Sequence, residues 1–197
     1  MFLAQVPGGM VGGLAGGFAR SPPWGCRAIE LRTLDRFRRL SKNGVPRMRV
    51  RLAEPVDVDR LLELMRGLAR FEEYIDDFAV TRESVLEHGF GDDRLFTAFV
   101  AEGDDDLVGM AVVYTIPWTY TLRPKVVLKE LFVEESARDA GAGKALMAAV
   151  ISHAESIGAA ELIWTVMEGN GAAEGFYRSL GASPDLKWNN WSLSLGV

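Results

Sequence analysis

The stretch Arg138-Asp139-Ala140-Gly141-Ala142-Gly143-Lys144 lies between two segments of different periodicity. Before it, residues 126–133 form an apolar run that is typical of a strand. After it, residues 144–156 carry apolar side chains at helical spacing. A loop of small residues between a strand and a helix leaves the amide N–H groups of the first helical turn free, and such groups bind anions. The sequence therefore predicts an anion site at this junction.

The loop matches neither of two common nucleotide-binding patterns. A P-loop needs glycine five positions before Gly143, where Arg138 stands, and serine or threonine after Lys144, where Ala145 stands. A dinucleotide fingerprint needs glycine three residues after Gly143, where Leu146 stands. Because many ordinary helices follow a Gly-x-Gly turn, the loop alone does not identify a ligand.

Outward from the loop, the hydrophobic pattern predicts the order β-α-α-β-β-β-α-β-α-β, a mixed α/β sheet without an internal repeat. Asp57 is expected to cap the first helix with its side chain, and Thr81 the second. The predicted strands span residues 49–52, 95–101, 107–116, 126–133, 161–167 and 191–195. The two later helices span residues 144–156 and 169–180.

Charge divides the chain into two parts. Residues 1–47 hold eight basic and two acidic residues, a net charge of +6, with eight of the 21 glycines and four of the eight prolines. Residues 48–197 hold 14 basic and 25 acidic residues, a net charge of −11. A segment this rich in glycine has few side chains to bury, so burial cannot offset the conformational entropy that the segment would lose on folding. We expect a largely unstructured extension at 1–47 and one folded domain at 48–197.

Three interpretations of the extension stay open. Translation that begins at Met48 makes residues 1–47 a mis-assigned start, which is the favoured interpretation. An arginine-rich, acid-poor segment also fits a targeting peptide, although its basic residues follow the apolar stretch, unlike a secretory signal. The third interpretation is a short basic amphipathic helix at 29–40 that contacts a membrane or a partner.

Composition excludes several classes of protein. Cys26 is the single cysteine, and His88 and His153, expected on helix surfaces, are the only histidines, so we expect neither a disulfide framework nor a metal site. The acidic domain argues against nucleic acid as a partner. No apolar run approaches the roughly 20 residues that span a bilayer, so we expect a cytoplasmic protein without membrane contact by this domain.

A second sequence motif follows the loop and, together with it, indicates a family. Asn170, Ala173, Phe176-Tyr177 and Gly181-Ala182 follow Arg138-x-x-Gly141-x-Gly143 at a fixed distance. Together the two motifs resemble the GNAT superfamily of N-acetyltransferases, over residues 49–195. The resemblance implies a mixed, mostly antiparallel central sheet flanked by helices, acetyl-CoA as the acetyl donor, and a homodimer.

Within that superfamily, the sequence resembles one branch in particular, the diamine (spermidine/spermine-type) acetyltransferases. The stretches that carry it are residues 68–72, 86–91 and 100–102 and the ending from Gly181 to Trp191. This branch implies a small-molecule amine as the acceptor. The net charge of −11 fits such a partner, because an acidic domain attracts a cation.

The resemblance also assigns residues to the donor. It places the pyrophosphate at the loop, the pantetheine arm along the end of the preceding strand, and further contacts in the second block. These residues are Arg138, Asp139, Ala140, Gly141, Ala142, Gly143 and Lys144 in the loop, Leu131, Phe132 and Val133 in the strand, and Asn170, Ala173 and Tyr177 in the second block.

Acetyl transfer to an amine moves two protons. An alkylamine has a pKa of about 10.4 and is charged at neutral pH, so a base must accept its proton before attack. Glu130 is the candidate base, although an exposed strand carboxylate remains the alternative interpretation. The resemblance places Tyr177 beside the sulfur, where its phenol is expected to protonate the leaving thiolate.

The acceptor site is less well defined by the sequence. Glu72 matches a substrate-contacting position of the diamine branch, and Phe71 and Trp118 are further candidates. That branch usually carries Glu-Asp where this chain has Lys129-Glu130. A lysine there repels a polyamine and favours a lysine-like amino acid, whose carboxylate it can pair with. The alternative function is a catalytically silent acyl-CoA-binding or interaction module.

Overall fold

The computed structural model describes residues 48–187 and 190–193. The predictions for residues 1–47 lie outside the described residues and stay predictions. Within the described part, nearly every predicted element is present, with bounds that differ by a few residues.

Five strands and four helices follow one another along the described chain. The strands are β1 (Arg49–Leu52), β2 (Thr97–Glu102), β3 (Leu107–Ile116), β4 (Lys125–Val133) and β5 (Glu161–Ile163). The helices are α1 (Val58–Phe71), α2 (Arg82–Gly89), α3 (Ala142–Ser156) and α4 (Gly171–Ser179). Three short 3₁₀ segments lie between them, at Pro55–Asp57, Ile75–Asp77 and Glu135–Ala140.

The strands form one sheet in the order β1-β2-β3-β4-β5. The first three pairings are antiparallel, and β5 joins β4 in parallel. Helices pack on both faces, as two separate clusters of buried residues. The mixed, mostly antiparallel α/β sheet that the sequence predicts is confirmed.

Each face of the sheet has its own core. On one face α1 buries Leu61 and Leu64 against Met110 and Val112 of β3. On the other face α3 buries Leu146, Met147 and Val150 against Ala111, Val113 and Val126. Neighbouring residues of a strand point to opposite faces, so β3 supplies side chains to both cores in alternation.

A β-bulge at Lys129 reverses this alternation in β4. Val113 pairs with Leu128 and Val112 pairs with Glu130, so Lys129 is one extra residue on β4. Leu128 belongs to the core under α3, and without the bulge Glu130 would point to that same face. The extra residue instead directs Glu130 and Phe132 to the face covered by α1, where Phe132 packs.

Strand β4 has a partner on its outer edge over only part of its length. Only Lys125, Val126 and Val127 pair with β5, which ends at Ile163 rather than at the predicted residue 167. Beyond Val127 the edge of β4 that faces away from β3 has no strand partner within the described residues. Apart from the Val133 carbonyl, which accepts from Arg138, the outward N–H and C=O groups of this part of β4 can pair with an extended ligand.

Two other expectations about single residues are wrong. Asp57 does not cap α1 with its side chain, because its carboxylate accepts from the Arg51 guanidinium at 2.6 and 2.9 Å and from the Glu54 amide at 2.8 Å. His153 is half-buried on α3 and not fully exposed, since its Nε2 is buried with no hydrogen-bond partner among the described residues and its ring lies edge-on to Phe99.

The predicted last strand is not present where the structure describes it. Trp191 to Leu193 form no strand, and the remainder of 191–195 lies outside the described residues. Trp191 and Leu193 are 94% and 84% exposed. Alternating residues form a strand only where a neighbouring backbone accepts their hydrogen bonds, and no such neighbour pairs with them in the described part of the chain.

We predict that Asp57→Asn lowers the free energy of unfolding by about 2 kcal/mol, because it removes a nearly buried carboxylate from the bidentate pair with Arg51. Asp59→Asn is the matched control, since Asp59 pairs with Arg82 in water. It should change stability by less than about 0.5 kcal/mol. Urea unfolding of both variants measures the difference, and equal losses would contradict the prediction.

Candidate active site

The glycine loop ends in a conformation that glycine favours. Gly141 has φ +84°, in the left-handed region, and immediately precedes α3. The amide of Ala145 donates to the Gly141 carbonyl at 3.0 Å, which starts the hydrogen-bond ladder of the helix. The amides of Ala142, Gly143 and Lys144 lie ahead of that ladder, so this helix end has the chemistry of an anion site.

Arg138 joins the loop to two other elements. Its Nε donates to the carbonyl of Val133, the last residue of β4, at 3.2 Å. Its guanidinium carbon lies 5.4 Å from the ring centre of Phe71, the last residue of α1. The structure therefore brings together the predicted residues at the ends of β4 and α1 and in the loop.

Glu130 is largely withdrawn from water. Its Oε2 is buried and has no hydrogen-bond partner among the described residues. Burial raises the pKa of its carboxyl, the Lys129 ammonium opposes this, and the Glu72 carboxylate adds to it. The interpretation of Glu130 as an ordinary exposed strand carboxylate is therefore wrong.

Tyr177 lies in an aromatic setting on α4. Its ring centre is 4.9 Å from that of Trp164 and 5.2 Å from that of Phe176. Burial raises the pKa of its phenol, and Glu72 raises it further. The charge of Glu72 thus acts on both Glu130 and Tyr177, so residues from the end of α1, from β4 and from α4 share one electrostatic neighbourhood.

Asn170 has a structural role of its own. It is the N-cap of α4, and its Oδ1 accepts from the amide of Ala173 at 3.0 Å. The side-chain oxygen is thereby engaged, while the two N–H groups of the same amide remain available to a ligand. Phe176 packs with the core under α3 and lies against Gly143.

Trp118 is not brought to this neighbourhood. It lies in the connection from β3 to β4, where the Lys125 ammonium sits 3.8 Å from its ring centre. Lys125 begins β4, five residues before Glu130, which corresponds to roughly 16 Å along a strand. Its predicted contact with the acceptor stays a prediction. Leu131 and Val133 pack toward α3, on the opposite face from Phe132.

Two aromatic residues near Glu130 are not among the site residues predicted from the sequence. The charge of Glu130 acts on the phenols of Tyr74 and Tyr114. The sequence does contain a signal for Tyr114: it follows Val112 by two residues in a predicted strand, so both side chains point to the same face of β3. Tyr74 had none, because its place depends on the turn that follows α1.

Two structural findings bear on the excluded classes. Among the residues that the structure describes, no helix is both long and apolar enough to cross a membrane. The same residues contain no group of three or more His, Cys, Asp or Glu side chains that is placed to hold a metal ion.

Comparisons with known proteins agree with this architecture. Thialysine N-epsilon-acetyltransferase of Sus scrofa is 27% identical over 150 residues, which are 72% of this chain and 88% of that protein. Human spermidine/spermine N(1)-acetyltransferase-like protein 1 is 26% identical over 73% of this chain and 22% of its own length.

Solved structures share the fold at lower identity. An aminoglycoside acetyltransferase from an uncultured soil metagenomic sample, crystallised with sisomicin, has a TM-score of 0.66 and 19% identity, over 76% of this chain and 97% of its own. The model of the acetyltransferase (GNAT) family matches residues 59–182, which include the glycine loop, Glu130 and Tyr177. The chain therefore belongs to the GNAT acetyltransferase family and is an N-acetyltransferase.

Proposed function

We propose that the protein transfers the acetyl group of acetyl-CoA to the primary amine of a small molecule, a diamine or a lysine-like amino acid, by direct attack in a ternary complex. One observation carries this proposal. Glu130 Oε2 is buried and has no hydrogen-bond partner among the described residues, and the charge of Glu72 acts on both the Glu130 carboxyl and the Tyr177 phenol. A buried carboxylate without a partner is the group that an incoming ammonium satisfies.

The donor site fits the residues present. Apart from the two chain neighbours, no described residue has an atom within 4 Å of the position that a Cβ atom would take at Gly141, so a ligand can approach the backbone closely there. The next amides of α3 lie ahead of the helix hydrogen-bond ladder and can donate to a pyrophosphate. Arg138 would add a forked cation. The free edge of β4 at residues 131–133 would pair with the amides of the pantetheine arm, and the N–H groups of Asn170 would hold the same arm. When bound, acetyl-CoA supplies the activated acetyl thioester.

Glu130 serves as the proton acceptor in this proposal. A carboxyl whose pKa is raised binds a proton more strongly than an exposed one, so it is a better base for an alkylammonium. Its place on β4, directly before the strand edge assigned to the donor, keeps the amine near the carbonyl carbon. An N–H of that edge is suited to polarise the thioester carbonyl.

Tyr177 serves as the proton donor. Because its pKa is raised above 10.0, the phenol is protonated at neutral pH and able to donate to the departing thiolate. Glu130 first accepts a proton from the ammonium, and the neutral amine then attacks and forms the C–N bond. The C–S bond breaks as the phenol protonates the thiolate, and the second proton that the nitrogen loses restores the phenol.

Lys129 favours an acceptor that also carries a carboxylate. It is the exposed extra residue of the bulge, and its ammonium acts on the neighbouring Glu130. An amino acid with a side-chain amine offers an ammonium to Glu130 and Glu72 and a carboxylate to Lys129. The relatives named for thialysine acetylation support this choice. A homodimer, which the family resemblance implies, and a cytoplasmic location complete the proposal.

We predict that Gly141→Ala raises the KM for acetyl-CoA about tenfold and lowers stability by about 1 kcal/mol, since alanine is strained at φ +84° and its methyl group occupies the open space. Gly158→Ala, at φ +67° beyond the other end of α3, is the matched control for backbone strain. It should cost the same stability without a change in KM. Equal KM values for the two variants would contradict the donor site.

The proposed reaction is tested by release of CoA thiol from acetyl-CoA by the full chain, with lysine, thialysine, ornithine, putrescine and spermidine as acceptors and a no-amine blank. We expect turnover with the amino acids to exceed that with putrescine and spermidine. Tyr177→Phe should lower kcat by about 100-fold. Ser179→Ala removes another hydroxyl from α4 and should leave kcat unchanged.

The outcomes separate the parts of the proposal. Preference for spermidine or putrescine would overturn the role of Lys129 and keep the reaction. Wild-type kcat in Tyr177→Phe would overturn the proton donor. No release with any acceptor would overturn the proposed substrate class.

A further inference from the structure

We propose that Tyr74 and Tyr114 form the two aromatic walls of the pocket that binds the acceptor's ammonium group, with Glu130 as its charged end. The inference rests on the proposed function and deepens it, because it names the residues that select a cationic alkylamine. Neither tyrosine belongs to the motifs that carry the family resemblance.

Tyr114 reaches the pocket from the neighbouring strand. Glu130 pairs with Val112 across β3 and β4, and Tyr114 follows Val112 by two residues on the same face. That spacing is about 7 Å along the strand, a distance that a tyrosine side chain spans easily. Its ring centre lies 6.3 Å from that of Phe96, and the residue is 36% exposed, so a ligand in water can reach the ring.

Tyr74 reaches the pocket from the turn that follows α1. Its amide donates to the Ala69 carbonyl at 2.9 Å, and Glu73 before it has φ +61°, so the chain turns sharply here. The last turns of α1 lie directly on β4, because a Cβ atom at Gly67 would be 2.8 Å from the ring of Phe132. Phe132 shares its face of β4 with Glu130, two residues away.

The charges of this region agree with that geometry. Glu130 raises the pKa of both phenols, in addition to the effect of burial, and Glu72 also raises that of Tyr74. Both phenols therefore lie within the electrostatic range of Glu130, whose Oε2 has no hydrogen-bond partner among the described residues and offers an acceptor. Ring faces and a carboxylate together are the chemistry that binds an alkylammonium.

This pocket selects one kind of acceptor. A primary ammonium on a flexible methylene chain fits, because the rings cover the methylenes while Glu130 takes the charge. A neutral amine loses the electrostatic contact with the rings. The pocket acts on the amine end alone, so it serves a diamine and a lysine-like amino acid equally.

A binding experiment on the full chain tests the pocket without turnover. The protein is labelled with 3-fluorotyrosine, and its four tyrosine resonances are assigned from Tyr→Phe variants. Methylammonium chloride is then titrated by ¹⁹F NMR, with potassium chloride at equal ionic strength as the control. We expect the resonances of Tyr74 and Tyr114 to shift with methylammonium and not with potassium.

Kinetics test the contribution of each ring. Tyr74→Leu and Tyr114→Leu should raise the KM for the amine about 3- to 30-fold and leave the KM for acetyl-CoA unchanged. Tyr74→Phe and Tyr114→Phe keep the ring, so their KM for the amine should stay within about twofold of the wild-type value. Phe78→Leu, which removes an aromatic ring that packs against the core under α1, is the control for lost packing and should not change either KM.

The two readouts separate this inference from the proposed function. Unmoved resonances, or leucine variants with the wild-type KM for the amine, would overturn the pocket even if the enzyme acetylates amines. Shifts at both tyrosines without acetylation of any amine would support the pocket and overturn the proposed reaction.

Discussion

The burial of the Glu130 carboxylate is the constraint on which the site depends. One extra residue in β4, Lys129, turns Glu130 away from the core under α3 and toward the face where α1 ends. There the carboxylate loses water without gaining a hydrogen bond at Oε2 within the described chain. A buried polar atom left without a partner costs free energy, and proteins retain such atoms mainly where function requires them.

The cost of this arrangement depends on pH, and its sign follows from the direction of the shift. The folded protein raises the pKa of Glu130 above its ordinary value of 4.5. Below 4.5 the group is protonated in both states and has no effect on stability. As pH rises from 4.5 through the folded pKa, the unfolded state ionises first, so the folded state loses stability, and the full loss is present above the folded pKa. The two apolar cores and the pair of Arg51 with Asp57 offset this loss.

How much of the molecule is predictable from sequence depends on whether the signal is local. The turn at Gly141, the strand before it and the helix after it follow from neighbouring residues, and so do Thr81 as a cap and the alternation of β3. The bulge at Lys129 has no local signal, because one extra residue leaves the strand pattern intact. The capping role of Asp57 and the surface position of His153 are expectations from the local helix pattern, whereas Arg51 on β1 and Phe99 on β2 decide their surroundings. The proposed place of Tyr74 in the site depends on the turn after α1, which no residue spacing predicts.

The most direct test of this account is the pKa of Glu130 itself. The full chain, labelled with ¹³C at the glutamate side-chain carboxyls, is titrated by NMR, and the resonance is assigned by its loss in Glu130→Gln. A midpoint clearly above 4.5 is the predicted result, because burial and Glu72 together outweigh Lys129. A midpoint at or below 4.5 would mean that the carboxylate is solvated or paired, and it would contradict the role of Glu130 as the buried base of the site.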